Sequence, residues 1–136
     1  HDALPIDSRE DILYFAKIYA KNLLKMKLFA ESRGAKFFAV IQPEVGGRVQ
    51  KTSFEKALYD QYTSNRSDVT PEFSTKYRIF VKEVLRIAKN DRVEIYDMSS
   101  DPEFNGYSEI LFYDQVHLNQ IGVELAAKLL IKNVKL

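Results

Sequence analysis

One short, unbroken apolar run, Phe37–Ile41, and a second short strand-like run, Val93-Glu94-Ile95-Tyr96, stand among much longer stretches of helical periodicity, and they constrain the fold of this chain more than any other feature. A strand covered on both faces has no polar side to show, so it reads as a continuous apolar run rather than an alternation. Gly34 precedes the first run and Pro43 follows it. Proline has no N–H to give a ladder, so the backbone is expected to leave the sheet there and pass through Gly46-Gly47 into a loop. Phe37–Ile41 therefore reads as a central parallel strand, with the intervening helices as its crossover connection. Ligands of open α/β sheets bind beyond the carboxyl ends of the strands. That makes Gln42 and Pro43 candidate substrate-binding residues, with a simple strand exit as the plainer account of the same loop.

The helices announce themselves by caps. Ser8 with Asp11 marks the start of a long helix whose Ile12, Ala16, Tyr19, Leu23, Met26 and Ala30 recur at three- and four-residue steps. Lys17, Lys21 and Lys25 share another face, which reads as solvated, and Gly34 suits a left-handed stop after Arg33. Thr52 and Glu55 have capping-box spacing for a shorter helix to about Tyr62, and Thr63–Val69 reads as a loop. Pro71 opens a second long helix through Phe73, Tyr77, Phe80, Val81, Val84 and Ala88 to about Lys89. After the strand ending at Asp97, the turn signals Asp101-Pro102 and Asn105-Gly106 predict a loop to Tyr113. Asn119 then caps a last helix lined by Ile121, Leu125 and Leu129.

At 136 residues the expectation is one domain spanning the whole chain. Hydrophobic residues make up 46% of it, with nine Phe and eight Tyr, which is ample for a packed interior. Twenty basic and 19 acidic residues are dispersed along the sequence, so no electrostatic footprint for nucleic acid is present. No apolar segment has the ~18 residues of a membrane span, and no integral membrane segment is expected. The absence of cysteine removes thiol chemistry but leaves the compartment open.

Chemistry concentrates in Asp114-Gln115-Val116-His117-Leu118-Asn119, followed by Gly122. Histidine titrates near neutrality, and a carboxylate three residues away can orient its ring and stabilise the imidazolium. Asp97, at a strand's carboxyl end, is a competing partner for the imidazole, with loop capping as its plainer role. Tyr96, Phe104, Tyr107, Phe112 and Tyr113 are candidates for an apolar binding wall or for core. Asp114 and His117 lack further ligands at metal-binding spacing, so no metal is expected.

Taken in order, these features resemble the carboxy-terminal half of an SGNH (GDSL-type) hydrolase. They are the long helix before Gly34-Ala35-Lys36, the strand ending Ile41-Gln42-Pro43, the helix from Pro71, the strand Val93–Asp97, and the Asp114-to-His117 block with Gly122. The resemblance implies an α/β fold, a partial flavodoxin-like three-layer α/β/α sandwich of parallel strands whose amino-terminal strands, including the nucleophile strand, lie outside this chain. It also implies that Asp114 is the orienting carboxylate and His117 the general base of a serine esterase or lipase-like enzyme that uses no cofactor. The family's GDS segment and GxND asparagine are absent, and none of the nine serines stands in a strand-Gly-Asp-Ser context. The chain alone is therefore expected to be inactive, its nucleophile coming from upstream polypeptide.

The implied substrate is a small-molecule or carbohydrate ester. A carbohydrate O-acetyl esterase or an acyltransferase would use the same residues. A reading from another class is a non-catalytic interaction domain on the truncated scaffold, its sheet edge covered by an amino-terminal fragment or a second copy.

Overall fold

The computed structural model describes residues 8–65 and 73–134. Ser8 caps α1 (Arg9–Glu31) through a reciprocal box in which its hydroxyl accepts from Asp11 N and Asp11 accepts from Ser8 N. This satisfies amide donors that a first helical turn leaves without partners. The turn that follows α1 closes at Gly34, whose φ of 74° is left-handed, with Ala35 N–H reaching back to the Ala30 carbonyl at 3.0 Å. Next come β1 (Ala39–Ile41), a 3-10 turn at Val45–Gly47, and α2 (Ser53–Asn65). After α3 (Phe73–Asn90) come β2 (Ile95–Asp97), a second 3-10 turn at Met98–Ser100, α4 (Pro102–Asn105) and α5 (Gln120–Asn133). The expected helix start at Pro71 and the end of the expected loop at Val69 lie outside the described residues.

Two compact units are present, and each has its own core. The first comprises His1–Ala39 and Glu72–Ile95. Here α1 packs on α3, and Ala16, Leu23, Val84, Ala88 and Val93 form a buried cluster with Phe37, Ala39 and Phe80 against it. The second comprises Val40–Pro71 and Tyr96–Leu136, with Val45, Met98, Phe104, Leu111, Phe112, Leu125, Ala126 and Leu129 as its core. The Tyr96 hydroxyl donates to Asp101 Oδ2 at 2.8 Å at the margin of that core.

The three-layer α/β/α sandwich is not formed. The chain is mostly helical, and β1 and β2 make a parallel sheet of only two strands among the described residues. The sandwich is what the family resemblance implies, and the central strand is read from an apolar run taken to be covered on both faces. Only Ala39–Ile41 is strand, bordered by the bond from Ala39 N to Glu94 O at 2.9 Å, and Phe38 remains 37% exposed. The apolar character has another cause: Phe37 and Ala39 pack on the first core, Val40 on the second, and Ile41 is buried. Helix packing, rather than a stack of flanking strands, accounts for the composition of the run. For the same reason Phe37–Ile41 is not a central strand, since each member of a two-stranded sheet keeps one open edge.

Helix faces show a smaller departure. Ile12, Ala16, Ala20 and Leu23 are buried on α1, whereas Tyr19 and Met26, expected on the same face, are exposed. Tyr19 still meets the edge of the Phe80 ring at 5.5 Å. Lys17, Lys21 and Lys25 are solvent-facing.

Candidate functional site

The Asp114–His117 segment is the tip of a tight turn in the second unit. Phe112 and Leu118 form an isolated antiparallel bridge, and Tyr113 N–H donates to the His117 carbonyl at 3.0 Å, closing the loop at its base. Within the loop, Asp114 Oδ1 accepts from Val116 N at 2.9 Å and from His117 N at 2.8 Å. This local carboxylate-to-backbone turn is a habit of aspartate. It leaves Oδ2 for the ring, and His117 Nδ1 lies 2.7 Å from it.

The two residues are therefore joined in space, in the arrangement an acid–base pair requires. Burial pushes the Asp114 carboxyl up, but the Val116 N–H, the His117 imidazole and the His117 N–H together hold it below its ordinary value. Nδ1 is engaged by Asp114, and the His117 side chain as a whole is 68% exposed. A neutral imidazole so held carries its proton on Nδ1 and keeps a lone pair on Nε2.

The turn is anchored on the residues that follow it. Asn119 Oδ1 caps α5 by accepting from Gly122 N at 2.9 Å, while its Nδ2 donates to the Ile110 carbonyl at 2.8 Å and its N–H to the Leu111 carbonyl at 2.8 Å. Gly122 has a steric reason to be glycine: a Cβ there would lie 2.3 Å from the Leu111 carbonyl oxygen. The asparagine and the glycine of the sequence block thus hold the helix start against the strand-like segment in front of the turn.

Gln42 and Pro43 fall in different environments. Pro43 is buried. Gln42 is exposed, and its Nε2 donates to the Val116 carbonyl at 2.6 Å, inside the Asp114–His117 turn. Asp97 caps the Met98–Ser100 turn, accepting from Ser99 N at 3.1 Å and from Ser99 Oγ at 2.5 Å. Among the aromatic candidates, Phe104 and Phe112 are core and meet edge to face at 6.0 Å. Tyr96 and Tyr107 pack on that core, and Tyr113 alone is strongly exposed, its ring 6.4 Å from the imidazole.

One group beneath the site was not read from the sequence as such. Arg48 and Glu55 form a fully buried ion pair, and Arg48 Nη2 also donates to the Tyr107 carbonyl. Glu55 accepts from Thr52 N at 2.9 Å, which completes the expected capping box, and from Leu111 N at 2.9 Å. Burial pushes its carboxyl up, but the N–H groups of Leu111 and Thr52 and the Arg48 guanidinium leave it below its ordinary value. The Thr52-Glu55 spacing was the available signal, but it indicates a helix start and says nothing of a buried partner 56 residues away.

Among the described residues no group of three or more His, Cys, Asp or Glu side chains could hold a metal ion, and no helix is long and apolar enough to cross a membrane. Comparison with protein-family models, with curated proteins and with solved structures found no match.

Proposed function

We propose that the chain supplies the Asp–His part of a serine-dependent ester hydrolase of SGNH type, with Asp114 as the orienting carboxylate and His117 as the general base. The observation that carries the reading is the 2.7 Å contact between Asp114 Oδ2 and His117 Nδ1 on a side chain that is otherwise largely exposed. In this scheme Nε2 takes the proton of a serine hydroxyl as it attacks the ester carbonyl. The imidazolium, steadied by Asp114, then protonates the departing alcohol, and water attacks the acyl-enzyme by the same route in reverse. The serine is proposed to come from polypeptide outside these 136 residues, because no serine here has the family's sequence context. A carbohydrate ester or another small ester fits the same chemistry, and transfer to an alcohol instead of water would make the enzyme an acyltransferase.

The test is release of p-nitrophenol from short-chain acyl esters by the product of the complete reading frame. His117→Ala should lower kcat by about 10⁴-fold or more, and Asp114→Asn by about 10⁴-fold, because loss of one triad member disables the unit. The 136-residue chain alone should release no more than its Asp114→Ala, His117→Ala double variant. Turnover that survives His117→Ala within tenfold rejects the assignment.

A further inference from the structure

Each peptide group that grips the Asp114 carboxylate is itself gripped from behind. The Val116 N–H that donates to Asp114 Oδ1 shares a peptide plane with the Gln115 carbonyl, which accepts from Val45 N at 2.9 Å. The His117 N–H that donates to the same oxygen shares a plane with the Val116 carbonyl, which accepts from Gln42 Nε2 at 2.6 Å. A peptide plane is rigid, so fixing its carbonyl end fixes the direction of the N–H on the other side. Hydrogen bonds strung through one amide also polarise each other. The segment leaving β1 therefore acts on the carboxylate through two amides without touching it.

We propose that Gln42 is a positioning residue for the acid–base pair: by donating to the Val116 carbonyl it aims the His117 N–H at Asp114 Oδ1 and so leaves Oδ2 directed at the imidazole Nδ1. The role rests on the reading of Asp114 and His117 as that pair. Gln42 is exposed, so its side chain contributes little to the core. The position calls for a donor, which an amide or an ammonium supplies and an ionised carboxylate does not.

These 136 residues contain two histidines, His1 and His117, so the ring-nitrogen NMR spectrum of this chain carries two sets of signals, assigned with His117→Ala. In the native protein, above the imidazole titration, the His117 proton should reside on Nδ1. In Gln42→Ala and Gln42→Glu the ratio of Nδ1–H to Nε2–H tautomers should fall about three- to tenfold, the scale of one net hydrogen bond. The thermal midpoint should move by less than about 4 °C, and Gln42→Lys should restore the native ratio. An unchanged ratio in Gln42→Ala overturns the role, as does failure of Gln42→Lys to restore it. A change in the ratio that comes with a larger loss of midpoint overturns it too, since Gln42 would then be a stability residue. A native His117 with its proton on Nε2 would instead reject the acid–base pair, and the role with it, so the two failures are distinguishable.

Discussion

Protonating Asp114 removes the acceptor for the imidazole and for two backbone amides at once. Its folded-state pKa lies below the ordinary 3.8, so the stabilisation it brings is complete above that ordinary value and is lost as pH falls through the lower folded one. A ¹³Cγ titration should accordingly place the Asp114 midpoint below 3.8 in the native protein, and His117→Ala should raise it, because the imidazole is one of the groups holding it down. A midpoint unmoved by His117→Ala would mean the backbone amides alone set it. At this scale much was legible in the sequence. The Asp114-His117 spacing and Asn119 as a cap follow from local chemistry, since each partner lies within a few residues. The role of Gln42 was not legible, because its acceptor is 74 residues away and a side chain leaving a strand looks the same whether it faces a ligand or a carbonyl.

Elements were readable where the chain carries its own boundary signals. Ser8, Gly34, Thr52 and Asn119 mark helix ends in sequence and in structure. Helix α3 ends with the same long backbone bond as α1, from Val93 N to Ala88 O at 2.8 Å, but there Arg92 takes the left-handed position, φ 56°, without a glycine to advertise it. Helix α4 hid behind Asp101-Pro102, which reads as a turn; Asp101 Oδ1 instead accepts from Glu103 N and Phe104 N and starts one short helical turn. The Arg48–Glu55 pair ties the start of α2 to Leu111, and so to the segment in front of the Asp114–His117 turn. Replacing Glu55 by Ala leaves Arg48 charged and buried without its partner, which should cost about 3–5 kcal/mol in urea unfolding. The double variant Arg48→Met, Glu55→Leu should recover much of that loss. If the single and double variants are equally unstable, the cost lies in the capping of α2 and the Leu111 contact rather than in the stranded charge.

For the molecule as a whole, the sequence pattern located the longer helices and the two strands in order, missing α4, but misjudged what they build. An apolar run cannot say whether its cover is sheet or helix, and here the pairing stops at two strands. Nor does the pattern reveal that the buried residues sort into two cores. Leu23, 6% exposed, belongs to one and Leu129, fully buried, to the other. Truncating either to Ala should cost about 2–5 kcal/mol, and native-state amide exchange should quicken most in the unit that carries the cavity. Equal acceleration throughout the chain would show one cooperative core. Because each unit is assembled from two separated stretches, with the chain passing from one to the other inside each strand, no single genetic cut can lift the Asp114–His117 turn out with its full support. A shuffled gene that inherits residues 96–136 from one parent and 40–71 from another must reconcile Gln42, Val45 and Glu55 with a turn they did not evolve beside, so breakpoints there should be the least tolerated.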